Sequence, residues 1–488
     1  MALGEAFALA IFRFKRKESP ISDLLRSLWL NRSTVFDRQE DLTATESRTT
    51  SSSSMLAAQQ SGSQCVFPIA PKTVTNILRR FETSDSISTN STPIRYDSVQ
   101  VPCNLPLEDD QVEAIFPAPY GFGNGEWLFW GIYDGHNGWS TSARLREDLI
   151  NTVYKKLSVL DPKAVAGTVY PMADTIIQAF EDLDRKIVLD AAENVRGRSK
   201  AAAVRDLGAA ISGSCAILAF YDTTTNILRI ANTGDSRAVL GKKEPDGRWT
   251  AHGLSIDHYY QNQREYRRVR ADHPGEEKTV FAYRRLLGEW EALRSFGDAS
   301  HKWSKKTSLE LRKTCFARAP PRDLKTPPYL TAEPAVVAMR IPRGNGDFCV
   351  LASDALWKSC SSEEVVDLSS PKLPVVEGSN KTVGRRKHRP GQWSLPDGPE
   401  RFDMDATDDN VATYLARNAL GEKDHDTISA LLTPPLTNAR RFRDDLTITV
   451  VFFGDERNSI RKLSPPPNDL SLANVPAAYF ESVPMIRR

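Results

Sequence analysis

Five apolar runs along the chain, "GEWLFWGIY" (125–133), "SCAILAFYD" (214–222), "NILRIANTG" (226–234), "DFCVLASD" (347–354) and "LTITVVFFG" (446–454), are rich in β-branched and aromatic residues and stop at Gly, Asp or Asn. That composition and punctuation predict strands. Between and around them, residues 141–159, 172–193, 262–271, 362–369 and 408–421 repeat their apolar positions at helical spacing. "YDTTTNI" and "EPDGRW" read as hairpin turns, with Asp246-Gly247 the stronger signal. Strands joined by hairpins and interspersed with helices favour an α+β fold with mostly antiparallel sheets over a doubly wound parallel one.

The ends break this pattern. Residues 39–64, "QEDLTATESRTTSSSSMLAAQQSGSQ", are poor in apolar side chains and read as a flexible linker. The stretches "MALGEAFALAIFRFKRK" and "LLRSLWLNRS" ahead of it mix apolar, Ser and Arg residues as a mitochondrial import segment does, although Glu5, Glu18, Asp23 and Asp37 count against one. Residues 371–399 have the Pro and Gly content of a surface insertion, and the "GRRKHRPG" within it reads as a solvated loop. The expected organisation is an N-terminal targeting and flexible segment (1–94), one domain (95–454) and a C-terminal tail (455–488).

Composition narrows the chemistry. A formal charge of +2 over 488 residues gives no footprint for nucleic acid. No apolar run reaches the length of a transmembrane helix. The six cysteines are scattered without close pairs, as reduced thiols are, and none has an arginine six residues downstream, so a cysteine-nucleophile phosphatase loop is absent. "GFGNG" (121–125) opens no helix and reads as a hairpin, and "DMDAT" (403–407) lacks the strand that an aspartate-nucleophile site requires.

The candidate chemistry lies in acids at strand ends. "GIYDGHNG" carries a strand out to Asp134, Gly135 and His136; Asp354 ends "FCVLAS"; Asp444 precedes the last strand; Glu108 and Asp109 precede "QVEAIF". Carboxylates at the rims of strands, with a glycine that lets a backbone carbonyl approach, form the oxygen-ligand set that Mg²⁺ and Mn²⁺ prefer. Each acid taken singly reads as a turn residue, and the metal reading rests on their joint arrangement.

The ordered set "LPLEDDQ", "GIYDGHNG", "ANTGDSRAVLG", "LRSFGD", "LASDALWKS" and "RDDLTITVV" resembles the metal-dependent type-2C protein serine/threonine phosphatases over roughly residues 95–454. "CNLPLED", "RLLGEWEALRSFGDASHKW" and "PPYLTAEP" are similar to the pyruvate dehydrogenase phosphatase branch. The resemblance implies a four-layer α-β-β-α sandwich of two antiparallel sheets with helices on both outer faces and a two-metal centre, Mg²⁺ or Mn²⁺, at one edge. It implies that Asp134 bridges both ions, that the Gly135 carbonyl binds one, and that Asp354 and Asp444 bind the other. Asp109 would hold metal-bound water, and Asp235 would serve a weaker third ion or simply be a turn acid. Water activated between two ions about 4 Å apart attacks phosphorus, and His136 protonates the departing seryl oxygen.

The implied partner is a phosphorylated protein, the pyruvate dehydrogenase complex by the branch likeness, and the implied location is the mitochondrial matrix. Two positions depart from the family pattern. Asn104 stands where many members carry a phosphate-binding arginine, but the pyruvate dehydrogenase phosphatase branch also tends to have asparagine there, so this departure supports the branch likeness. Ala355 replaces a glycine and would disturb its turn if that turn needs positive φ. Ala355 is what supports the alternative reading, a catalytically weak regulator that binds phosphoproteins.

Overall fold

The computed structural model describes residues 69–88, 93–165, 170–370, 408–421 and 424–454. The import-like segment, the 371–399 insertion, "DMDAT" and the tail from 455 lie outside the described residues. In chain order the strands are β1 (Thr83–Ser88), β2 (Pro93–Val101), β3 (Asp110–Pro117), β4 (Glu126–His136), β5 (Gly213–Asp222), β6 (Ile227–Thr233), β7 (Arg237–Lys243), β8 (Trp249–Gly253), β9 (Phe281–Ala282), β10 (Arg285–Leu286), β11 (Phe296–Gly297), β12 (Ala335–Arg340), β13 (Phe348–Ala352) and β14 (Leu446–Phe453). The longer helices are α1 (Pro71–Arg79), α2 (Ser140–Leu157), α3 (Tyr170–Arg185), α4 (Lys200–Ile211), α5 (Gln263–Asp272), α6 (Lys305–Cys315), α7 (Asp354–Ser359), α8 (Ser362–Ser369), α9 (Val411–Gly421) and α10 (His425–Leu432).

Apart from the separate β9-β10 hairpin, the strands form two sheets, β1-β2-β14-β13-β7-β8 and β12-β6-β5-β4-β3, with β11 added beside β5. Every named pairing is antiparallel. Side-chain alternation explains why the central strands read as unbroken apolar runs: both faces are covered. In β4, Leu128, Trp130 and Ile132 enter the layer between the sheets, where they meet Ile217, Ile230, Leu351 and Val451. Trp127 and Phe129 point the other way, onto Leu145, Leu149 and Val153 of α2 and Phe180 of α3. Ile448, Val450 and Phe452 of β14 face Leu415 of α9 and Ile428 of α10, while Val451 faces inward. The result is the four-layer α-β-β-α sandwich.

Residues 71–88, which the sequence reading leaves in the N-terminal segment, belong to this framework. Val74, Ile77 and Leu78 of α1 are buried with the β2 and β14 side chains, and β1 pairs along β2 from Thr83↔Ser98 to Ser88↔Pro93. "TSDSIS" escapes an apolar-pattern reading because β1 is an edge strand whose side chains are mostly open to water. The helix expected over 172–193 begins at Tyr170 and widens into a π turn at Lys186–Asp190.

A small lobe with its own core, Val269, Val280, Leu286, Leu293, Leu324 and Tyr329, combines α5 with the β9-β10 hairpin. A buried fork ties it to the approach to β12: Arg294 donates from Nε to Glu265 Oε2 at 2.9 Å, from Nη2 to Oε1 at 2.8 Å and from Nη1 to the Glu333 carbonyl at 2.6 Å. Burial acts to raise the Glu265 pKa, but hydrogen bonds from Arg294 and the charges of Arg268 and Arg294 hold it down at about 2. Arg294→Ala removes the bond to Glu265 Oε1 and leaves Arg268 bonded only at Oε2, so it is expected to cost about 3 kcal/mol, the lower end for a broken buried pair, in urea unfolding at neutral pH. Because Glu265 is depressed in the folded state, the difference between variant and parent should be fully present above the ordinary glutamate range. It should shrink as pH falls from there toward 2.

Candidate active site

The ends of β4, β6 and β13, the starts of β3, β7 and β14, and the first turn of α7 all meet at one edge of the sandwich. Register produces this convergence: Asp110 pairs with Tyr133, Cys215 with Asp134, Ala352 with Arg237 and Ile448, and Val101 with Leu446. Asp134 is on the last turn of pleat in β4, Asp235 lies between β6 and β7, and Asp354 is the first residue of α7. One carboxylate oxygen from each of Asp134, Asp235 and Asp354 lies within 4.8 Å of the other two. The Asp354 amide donates to Asp134 Oδ2 at 3.3 Å.

Asp109 is buried behind this trio and accepts from Thr447 Oγ1 at 2.7 Å; Thr447 is in turn locked to Ser353, each backbone amide donating across at 3.0 Å. Asp444 stands apart from the trio and pairs with two cations. Lys358 Nζ lies 3.6 Å from its Oδ2 and also pairs with Asp354, and Arg440 Nη1 pairs with its Oδ1. Thus five expected acids reach one edge, three of them in direct mutual reach, with Lys358 linking Asp354 to Asp444. Asp235, open beforehand between turn acid and ion ligand, is both between strands and inside the acidic trio.

The electrostatics fit a divalent cation. Removal from bulk water raises the Asp134 pKa, and the charges of Asp109, Asp354 and Asp235 raise it further. Burial, then Asp445, raises Asp109; burial, then Asp354, pushes Asp235 up to about 6. Carboxylates that raise one another's pKa lack sufficient counter-charge, which a hard cation supplies through oxygen ligands.

Gly135 is required by space. A Cβ there would sit 1.9 Å from the Glu108 carbonyl oxygen, and that same carbonyl accepts from Ser142 Oγ at 2.5 Å. Glu108 Oε1 accepts from the Gly138 amide at 2.6 Å, so the loop before β3 closes over the Asp134–Gly138 turn. Asp445, next to Asp444, holds that loop from the other side. It accepts from the Cys103 and Asn104 amides at 2.5 and 3.2 Å, from Asn104 Nδ2 at 3.3 Å and from the Glu108 amide at 3.1 Å. Ala355 does not disturb its turn: it is the second residue of α7 and is outside the left-handed region.

Sequence reasoning did not single out Asp298, although it lies within the quoted "LRSFGD". His136 Nε2 is 2.7 Å from Asp298 Oδ2, which also accepts from Ser295 Oγ at 2.7 Å. Asp298 adopts a left-handed conformation, φ 47°, and its backbone N–H donates a hydrogen bond to the Ser212 carbonyl at 2.9 Å. A Cβ on Gly213 would lie 2.2 Å from both His136 Nε2 and Asp298 Oδ2. The Trp290 ring packs edge-on against the imidazole at 5.2 Å. Burial works against a charged His136, but the charge and hydrogen bond of Asp298, with Asp134 and Asp235 behind, hold its pKa above the ordinary value.

The protein phosphatase 2C family model matches residues 113–373. A protein phosphatase 2C homolog of Schizosaccharomyces pombe is 38% identical over 390 residues, 78% of this chain and 85% of that protein. Mitochondrial pyruvate dehydrogenase (acetyl-transferring) phosphatase 1 of Saccharomyces cerevisiae is 36% identical, covering 77% of this chain and 71% of that one; its Homo sapiens counterpart is 31% identical, covering 79% and 83%. The chain belongs to the protein phosphatase 2C family. It is a metal-dependent protein serine/threonine phosphatase, similar to the pyruvate dehydrogenase phosphatases.

The His136–Asp298 pair can be tested through pH. If protonated His136 is the active form, activity falls as pH rises through its pKa. Asp298→Asn removes the charge that raises it, so the alkaline limb of the kcat profile should move to lower pH. An unmoved limb in a folded variant would separate His136 from that ionisation. Gly213→Ala should reproduce the shift by driving the pair apart.

Proposed function

We propose that this phosphatase hydrolyses phosphoserine on the pyruvate dehydrogenase complex in mitochondria. Asp134, the Gly135 carbonyl, Asp354 and Asp444 would hold two Mg²⁺ or Mn²⁺ ions, and Asp235 a weaker third. The observation that carries the catalytic reading is the juxtaposition, two residues apart on β4, of the acidic trio around Asp134 and the imidazole held by Asp298. Bound divalent ions supply a water acidic enough to attack phosphorus near neutral pH and screen the phosphoryl oxygens.

The rest falls to the protein's own groups. Asp109, anchored by Thr447, orients water at the edge of the trio. With Nε2 committed to Asp298, His136 delivers its proton to the seryl oxygen from Nδ1. Trp290 covers one side of the imidazole and limits water there. The chain contributes no nucleophile; accordingly the buried thiols Cys103 and Cys349 are pushed above the ordinary cysteine range by burial and are inert. The likeness to mitochondrial pyruvate dehydrogenase phosphatases supports the substrate and the compartment. The weak-regulator reading loses its motive, since the Ala355 methyl is accommodated in α7.

Turnover of a phosphoserine peptide should disappear in excess chelator and return with Mg²⁺ or Mn²⁺. Asp134→Asn should lose both turnover and calorimetric Mn²⁺ binding while keeping its melting temperature, and retained binding would refute the ligand assignment. His136→Gln should lose about a hundred- to ten-thousand-fold in kcat on phosphoserine, whose alkoxide needs a proton, and much less on an aryl phosphate. Equal losses on both would give His136 a positioning role instead. Phosphorylated pyruvate dehydrogenase should surpass a generic phosphoserine peptide in kcat/KM; parity between them would remove the substrate proposal.

A further inference from the structure

A phosphomonoester brings up to two negative charges to an edge that already carries Asp134, Asp235, Asp354 and Asp444. The cationic groups described around these acids are few, and most are committed. His136 is held by Asp298, and Lys358 bridges Asp354 and Asp444. Asn104 offers an amide group, but it donates to Glu108 Oε2 at 2.9 Å and Asp445 Oδ2 at 3.3 Å. Arg440 differs. It caps the one-turn helix Leu436–Ala439, its side chain is 43% exposed, and its recorded contacts, Asp444 Oδ1 and Cys103 Sγ at 3.9 Å, both use Nη1.

A guanidinium keeps its charge in a folded protein. Its contacts with Asp444 and with Cys103, a neighbour of Asn104, set Arg440 at the acidic edge. A guanidinium presents five donors in a planar fork that matches phosphoryl oxygens. Once Asp444 serves a divalent ion, its claim on Nη1 weakens and the whole fork can turn to an anion.

We propose that Arg440 binds the phosphoryl oxygens of the phosphoprotein substrate, so that the C-terminal approach to β14 supplies both an acidic group, Asp444, and the anion-binding group four residues before it. The inference rests on the phosphatase reading above. Failure of that reading would appear in the unmodified protein, as turnover that ignores chelator or as no saturable Mn²⁺ binding.

The test uses the full chain with Arg440→Ala, Arg440→Gln and Arg440→Lys. It measures KM for a phosphoserine peptide, inhibition by inorganic phosphate, Mn²⁺ binding by calorimetry, and melting temperature. Loss of a charge-assisted hydrogen bond should raise KM and the phosphate inhibition constant about ten- to a hundredfold in the Ala and Gln variants. The Lys variant should fall between them and the parent, with Mn²⁺ binding unchanged or tighter throughout. If Arg440→Ala does not fold, the Gln variant, which keeps the stem, decides. Unchanged phosphate inhibition in a folded variant overturns the proposal. So does a rise that merely follows weakened Mn²⁺ binding, because Arg440 would then act by positioning Asp444.

Discussion

Repulsion among carboxylates at one sheet edge is the constraint on which the rest of this structure depends. Two unit charges 4.8 Å apart, the span of the Asp134–Asp235–Asp354 trio, oppose each other by about 3–4 kcal/mol at the effective dielectric typical near a protein surface. A pliable scaffold would relieve that strain by letting the acids splay. Here they cannot, because each is fixed by buried strands: Asp134 by β4, Asp235 by β6 and β7 on either side of it, and Asp354 by β13 just before it. The sandwich is thus the means by which mutually repelling ligands stay in register, and the large aromatic side chains within it, Trp127, Phe129 and Trp130 among them, provide the burial that offsets the cost.

Close backbone approach is the second requirement, and it explains two glycines beside the site. Bare α-carbons at Gly135 and Gly213 let a carbonyl from the β3 loop and the His136–Asp298 pair occupy positions 1.9 and 2.2 Å from where a methyl would be. Neither position needs a left-handed backbone, so the selection at each is for volume and not for φ. Asp445 and Glu108 then fasten the β3 loop to the ends of β14 and β4 through backbone amides, and a small change in either would be felt at Asp109.

Most of the architecture was legible in the chain because the central strands are covered on both faces and so announce themselves as apolar runs that stop at polar rims. Asp134, Asp354 and Asp444 stand at those rims and were visible for the same reason. Edge elements were not: "TSDSIS" of β1 lacks an apolar face, and α1 looks like part of a linker until its Val74, Ile77 and Leu78 are seen beneath β2 and β14. Asp298 escaped notice because it comes from a two-residue strand and a left-handed turn, and its partner is more than 160 residues away in sequence. Lys358 and Arg440 carry no signal of their own in the sequence; only the folded chain turns them toward acids. Ala355 shows the converse error, a substitution that looks disruptive until its backbone is known to be helical.

Opposite pKa shifts sort the acids of the site by role. Asp298 is more secluded from water than Asp235, and burial alone would raise both; yet the charge and hydrogen bond of His136 bring Asp298 below the usual carboxylate range while Asp235, beside Asp354, rises to about 6. The difference lies in the partner and not in the degree of burial. A carboxylate whose cation is built into the chain is already neutralised and is free to orient that cation, as Asp298 orients His136. The acids around Asp134 outnumber the cations of the chain beside them, Lys358 and Arg440, and so form a site whose completion must come from solution. One edge of the sandwich therefore carries two kinds of acid made from the same side chain, one kind completed by folding and the other by a bound ion.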